Sequence, residues 1–540
     1  MEMKMSTLSP PSVTKESRFS AGVLTVLETV DRVGNKLPHP FWIFVGLAVV
    51  VAVLSAVLST LGVSATNPAD GETVTVQNLL SFDGVQMMLG DAITNFVTFP
   101  PLGLIVVVAL GVSIADATGL LQALMRGMLS RVSPRYVTFT IAITAMVAQV
   151  ASDAAFAVMI PLAMIAYRAV GRSPIIGAVV AYVSVGGASS IGLLPTGSDA
   201  VFAGISTAAA QTIDPSYSVS PLANYYFSAA SSLVLAVSIT VVVELVVAKR
   251  VAALEAEEPS VDAEPLPSMK LNPAERRGLV SAGIGALVFC ALVVLAVLPS
   301  GSPLRGENGS VLDSPLMDNM AVFMMLFFAV VGICYGVAEG TITSVSQIPT
   351  LMIPGVRELV PVIVLFFAAS QFLAYFKWTN IGAVLSIEGA GLLDSLGASP
   401  VPIFIAAVLL ISCMNLVLTS GSAMYAFVAP VLVPMLMLLD IAPETTQAVF
   451  RIADAPTNSL TPMSPYFVMA LGFLRTHRPT AGIGTLMSLV LPIAVVNLVV
   501  WLGLFIIWYL LGLPLGPGWG SDAHVRQCPA RPPRRGGCGA

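Results

Sequence analysis

Four polar interruptions in otherwise apolar sequence carry the side chains that can do chemistry. Ser152 and Asp153 lie in QVASDAAFAVMIP (149 to 161), and Ser190 and Asp199 lie in GGASSIGLLPTGSD (186 to 199). Ser422 lies in LTSGSAMYAFVAP (418 to 430). Asp454, Thr457, Asn458 and Thr461 lie in DAPTNSLTPMSP (454 to 465), with Arg451 just upstream. Hydroxyl and amide oxygens of this kind coordinate a cation, a carboxylate takes up a cation or a proton, and an arginine neutralises a substrate carboxylate. Chain that leaves the helical ladder inside a bilayer exposes amides and carbonyls at a cost of several kcal/mol each, so it persists only beside protein, ion or water. Its amides and helix N-termini then hold an anionic group, while its carbonyls join the side-chain oxygens on a cation.

Each side chain also has a plainer reading. Arg451 and Asp454 stand three apart on a helical stretch and can form a structural ion pair, since charges in membranes pair with one another. Asp199 can cap the helix that follows it, and Asp153 can do the same at its own break. Ser152, Ser190, Thr457, Asn458 and Thr461, the candidates for ion coordination, can instead serve interhelical hydrogen bonds. Pro161, Pro195, Pro430, Pro434 and Pro462 can kink helices, yet their clustering at the breaks points to real interruptions.

The elements that must hold these groups are membrane spans. Of 540 residues, 56% are hydrophobic and only 10% charged, and the apolar ones fall in runs of membrane-spanning length. This is the pattern of an all-α polytopic membrane protein with the lipid bilayer as partner. The formal charge of -5 decides little, because the sign of charge beside each loop matters more than the total. Five cysteines and three histidines show no paired spacing suited to disulfides, zinc or haem, so no metal cofactor is expected beyond a possible coupling sodium. Without a GxxxxGK[ST] string an ATP-driven pump is excluded. An embedded enzyme lacks its nucleophile–base pair or metal triad, and no nucleic-acid partner is expected. A channel is the nearest alternative, since hairpins also build filters.

Lysines and arginines orient the spans. Residues 1 to 36, with Lys4, Lys15, Arg18, Arg32 and Lys36, read as a cytoplasmic N-terminus with no signal-peptide h-region. The first transmembrane half, 37 to 250, opens with a span from Phe41 to about Leu61, an acidic outer loop over 63 to 95, and a span over 101 to 121. Basic residues flank both ends of 136 to 168, which therefore reads as a re-entrant hairpin broken at Ala151 to Asp153. A broken span over 174 to 205 and a span over 222 to 248 complete this half, and 251 to 277 is a charged cytoplasmic linker.

The second half, 278 to 512, holds spans at 278 to 298, 320 to 340 and 358 to 376, a hairpin at 400 to 439, a broken span at 445 to 474 and a last span at 483 to 511. The total is about nine transmembrane helices plus two re-entrant hairpins. Ser152 to Ser190 is about 38 residues and Ser422 to Asn458 about 36, so the breaks keep their spacing in both halves, as repeat-built transporters do. An odd number of spans between the hairpins makes this an inverted-topology repeat, with both tips and both unwound segments sharing one midplane pocket. The flexible tail, 513 to 540, carries Arg526, Arg531, Arg534 and Arg535, yet this count leaves it outside.

VGNKLPHPFWIF (33 to 44), LLPTGSDAVFAGI (193 to 205) and above all GSAMYAFVAPVLVPMLMLLDIAPETTQAVFRIADAPTNSLTPMSPYF (421 to 467) resemble the p-aminobenzoyl-glutamate transporter (AbgT) family. The resemblance runs up to about residue 511. It implies a bacterial inner-membrane homodimer with nine spans and two hairpins per subunit. The implied function is secondary transport of p-aminobenzoyl-glutamate, a folate breakdown product, or export of sulfonamide antimetabolites. The family's functional positions carry over to Asp199, Ser422, Pro443, Arg451, Asp454 and Pro462, with Pro443 and Pro462 as helix breaks. Tyr425 stands where the family usually has Trp, keeping an aromatic face for the aminobenzoyl ring and adding a hydroxyl. Another dicarboxylate or aromatic anion is the alternative substrate. Sodium or protons supply the drive, and the sequence leaves both the ion and the direction open.

Overall fold

The computed structural model describes residues 39–66, 73–129, 133–188, 191–257, 270–306, 309, 311, 314–395, 397, 399–416 and 418–517. Helix α1 (Pro40–Thr60) starts on a proline, whose missing N–H is no loss in a first turn, under the His39 cap. The stretch read as an acidic outer loop contains an antiparallel ribbon, β1 (Ser64–Thr66) with β2 (Thr73–Thr75), and helices α2 (Phe82–Gly90) and α3 (Ala92–Val97). Next come α4 (Pro100–Ala117) and, after Gly119 at φ +84°, the short α5 (Leu120–Leu129). Helices α6 (Val137–Ala148) and α7 (Ala154–Ala169) flank the first hairpin tip. Helices α8 (Pro174–Ala188) and α9 (Gly197–Ala210) flank the first unwound segment. Helix α10 (Tyr225–Val242) runs through one π-turn, Val243–Val247, into α11 (Ala248–Glu257).

The second half begins with α12 (Pro273–Val297), capped by the reciprocal Asn272–Glu275 box. Helices α13 (Pro315–Asp318), α14 (Met320–Glu339), α15 (Ile348–Trp378) and α16 (Ile381–Ser395) follow. Helices α17 (Pro400–Asn415) and α18 (Gly421–Met437) flank the second tip. Helices α19 (Pro443–Asn458) and α20 (Pro465–His477) flank the second unwound segment, and α21 (Ile483–Leu510) closes the fold.

Seven helices among the described residues are long and apolar enough to cross a bilayer, and the four pairs around the tips and breaks are each too short alone. The all-α membrane architecture is as the hydropathy implied. Helices α5 and α16 are additions, because short helices escape a search for runs of spanning length. The prolines behave differently from the reading above. Pro161 lies inside continuous α7, Pro430 and Pro434 lie inside α18, and Pro443 is the first residue of α19 and so begins a helix where a break was expected. A proline removes a single i→i−4 bond, and neighbouring helices hold the ladder around it. Pro195 and Pro462 do fall between helices.

Close approach of backbones sets the packing. A Cβ on Gly111 of α4 would lie 2.2 Å from the Met325 carbonyl oxygen of α14, so only glycine permits this crossing. Side-chain hydrogen bonds fasten α10 to α21, Trp501 Nε1 donating to Ser231 Oγ at 2.9 Å and Ser238 Oγ to Asn497 Oδ1 at 2.9 Å. The first hairpin is anchored at its base, where Thr138 on α6 donates to Glu244 at 2.7 Å and shares a 2.6 Å hydrogen bond with Tyr167 on α7. Arg172 holds Glu244 with two 2.8 Å bonds. Helix α12 leaves Val280, Ile284, Leu287 and Leu292 exposed, a face suited to lipid.

Candidate transport site

The first tip is a 3-10 turn, Gln149–Ala151, followed by Ser152 at φ 48° and ψ -128°, a conformation L-residues rarely adopt. The second tip is Thr419 and Ser420 ahead of α18, with the Ser420 hydroxyl capping the Ala423 amide at 3.4 Å. Both tips, the second unwound segment and the helix ends that flank the first open onto one cavity of about 720 Å³. Ser152 and Asp153 line it from the first tip, Ser422 from the second, and Asp454 and Asn458 from the end of α19. Gly197 and Ser198 bring the N-terminus of α9 to the same wall. A volume of this order accommodates one small organic ligand.

Asp454 is buried at 2% exposure, and its Oδ1 accepts from Asn458 Nδ2 at 3.0 Å. Its other oxygen rests on the second tip: a Cβ at Gly421 would come within 3.0 Å of Oδ2. Helix α17 supplies Asn415, whose Nδ2 donates to the Asp454 carbonyl and to Thr457 Oγ1, each at 2.8 Å. The fully buried Asn415 Oδ1 has no donor among the described residues.

Several sequence candidates stand away from the cavity. Asp199 performs the capping role, its Oδ2 accepting from the Thr196 amide at 2.7 Å and hydroxyl at 2.9 Å. Its Oδ1 accepts from Arg451 Nη1 at 2.6 Å, and the Arg451 guanidinium lies 5.0 Å from the Phe202 ring centroid. The ion pair expected between close neighbours on one helix thus links Arg451 to an acid in the other half, joining α9 to α19. Tyr425 is fully buried, packed edge-on to Phe202 and against Phe450, and shares a 2.6 Å hydrogen bond with Ser206. Its ring therefore lies behind the cavity wall, because α18 turns this face toward α9. Thr457 Oγ1 donates to the Ala453 carbonyl at 2.5 Å and Thr461 Oγ1 to the Leu416 carbonyl at 3.3 Å, the plainer structural role. Pro462 sits in the break, and Ser190 lies outside the described residues.

The AbgT transporter family profile matches residues 25–522, nearly the whole chain. The chain belongs to the AbgT transporter family. Among AbgT relatives, the p-aminobenzoyl-glutamate transport protein of Escherichia coli (strain K12) is 40% identical over 490 residues, covering 91% of this chain and 95% of that protein. The YdaH transporter of Alcanivorax borkumensis superposes with a TM-score of 0.83 at 35% identity, covering 89% of this chain and 100% of that one. MtrF of Neisseria gonorrhoeae, described as illuminating a class of antimetabolite efflux pumps, superposes with a TM-score of 0.83 at 36% identity, covering 92% of this chain and 100% of that one. An AbgT transporter is a multi-pass membrane protein, as the apolar helices require.

The AbgT cavity also holds residues that the motif reading passed over. Asp116 near the end of α4 and Glu358 within α15 add two carboxylates, and Phe156, Tyr182 and Tyr466 add aromatic rings. The signal for the acids was present, since an ionisable residue inside an apolar run marks a pathway. The rings carried none, because an aromatic residue in a span is ordinary core until packing shows what it faces.

Proposed function

We propose that the chain is a secondary transporter of p-aminobenzoyl-glutamate in the bacterial inner membrane, driven by a cation gradient and working as a homodimer. The reading rests on membership of the AbgT family, the named E. coli relative and the form of the cavity. Each half then contributes three or four whole spans, one broken span and one hairpin, and the two halves rock about the shared site.

One observation carries the coupling: the cavity is lined by Asp116, Asp153, Glu358 and Asp454, and among the described residues no Lys, Arg or His lines it. Two like charges about 6 Å apart repel by about 3 kcal/mol at an effective dielectric of about 20, so a substrate with two carboxylates enters only with cations or protons. Asp454, Asn458 and the tip oxygens of Ser422 are the place for that cation, with the amides at the start of α9 and α18 left for the substrate carboxylates. Antimetabolite export uses the same cavity in the opposite direction, and MtrF is the relative that supports it.

Uptake of labelled p-aminobenzoyl-glutamate into proteoliposomes under an imposed sodium gradient, a proton gradient or none tests this directly. Accumulation above equilibrium with one gradient, and none in protein-free vesicles, is the expected result. Flux that only ever equilibrates would overturn the coupling to a gradient.

A further inference from the structure

Phe156 of α7 and Tyr466 of α20 are stacked, with ring centroids 4.2 Å apart and planes 5° from parallel. Tyr182 of α8 extends the cluster, 6.1 Å from Phe156, and its hydroxyl donates to the Ser459 carbonyl at 3.1 Å. All three rings line the cavity, so the first hairpin and both broken segments meet in one aromatic wall. Phe156 is itself 4% exposed, and the partly exposed Tyr466 presents the accessible part of the stack.

Hydrogen-bond acceptors surround this wall. Asp153, Glu358 and Asp116 line the same cavity as Tyr466 and set three carboxylates around the stack. Gln149, four residues before Asp153 at the same tip, lines the cavity at 6% exposure. Its Oε1 is buried and has no donor among the described residues. A buried acceptor without a donor is costly, and a site that keeps one is completed by a ligand N–H or by water.

We propose that Phe156 and Tyr466, with the acceptors of Gln149 and Asp153, form an arylamine subsite: the rings take the face of a para-aminophenyl group and the acceptors take its amino N–H. The inference rests on the substrate reading above and refines it. An uncharged arylamine offers donors and no negative charge, so it fits the acidic end of the cavity, while the glutamate carboxylates point away towards the helix N-termini. The same fragment occurs in sulfonamides, which makes one subsite serve both ligand classes. Tyr425, buried behind the wall, plays no part in it.

The test compares p-aminobenzoyl-glutamate with benzoyl-glutamate, which lacks only the amino group, as substrates and competitors in proteoliposomes. Wild-type protein is expected to prefer the amino compound by about tenfold or more, because a site built to hydrogen-bond a group rejects the analogue lacking it. Gln149→Met and Asp153→Asn should shrink that preference towards unity, and Phe156→Leu should weaken both compounds together. Thermal melting in detergent identifies variants that fail to fold, and for these Gln149→Leu and Asp153→Ala, which also remove the acceptor, are read instead, each again expected to lower the preference. Equal handling of both compounds by an active wild type, or an unchanged preference in folded Gln149 and Asp153 variants, overturns the subsite. Wild-type protein that moves neither compound overturns the substrate reading itself, and the subsite with it.

Discussion

At the scale of residues, the two intramembrane acids named by the motifs do different work. Asp454 lines the cavity and touches the second tip, so Asp454→Asn removes charge with little change of shape and should abolish gradient-driven accumulation while leaving the melting temperature unchanged. Wild-type accumulation in that variant would falsify the coupling role. Asp199 and Arg451 form a buried cross-helix pair, with side chains 17% and 2% exposed. Removing one partner alone should cost about 3 kcal/mol or more, since it strands a buried charge, and removing both should cost less than the sum. A double-mutant cycle on unfolding in detergent reads that coupling. Because Arg451 does not line the cavity, Arg451→Ala should depress transport of anionic and neutral substrates by similar factors; a selective loss for anions would place it on the substrate after all.

At the scale of elements, the close approaches matter more than the prolines that punctuate the sequence. Gly421→Ala would set a methyl group 3.0 Å from an Asp454 oxygen, so the carboxylate or the tip must shift by a few tenths of an ångström and the geometry between them changes. Transport should fall by about tenfold or more with the fold intact, as small misplacements at a site do, and a normal rate would show that the tip and Asp454 move independently. Gly111→Leu is a different kind of lesion, since the obstacle is the Met325 backbone and α4 and α14 would have to separate. Its expected signature is loss of folded protein in detergent, seen by size-exclusion chromatography. Native yield would mean the crossing has slack.

For the whole molecule, the breaks matter because the chain returns four distant segments to one place. Alternating access predicts that the cavity opens to one side of the membrane at a time. In a variant with its native cysteines replaced, Ser422→Cys should react with a membrane-impermeant thiol reagent. Saturating p-aminobenzoyl-glutamate should slow that reaction several-fold by occupying the site. Labelling that ignores substrate would place the substrate elsewhere.

The sequence alone determined the membrane class, the approximate place of the long spans and the four interruptions, because hydropathy and helix length are local and a bilayer enforces them; the exact ends differ, α12 beginning at Pro273 and α15 at Ile348 where hydropathy began them at 278 and 358. It also named Asp153, Ser422, Asp454 and Asn458, which the fold does bring to one cavity. Only the tertiary structure decided which way each remaining side chain faces. Spacing along one helix suggested Asp454 for Arg451, while the fold supplies Asp199 from the other half. Tyr425 looked like a stacking surface until its helix face proved to be turned into the core, and Phe156, Tyr182 and Tyr466, which the motifs did not single out, proved to line the cavity. These are statements about contacts between residues hundreds of positions apart, and local periodicity carries no information about them.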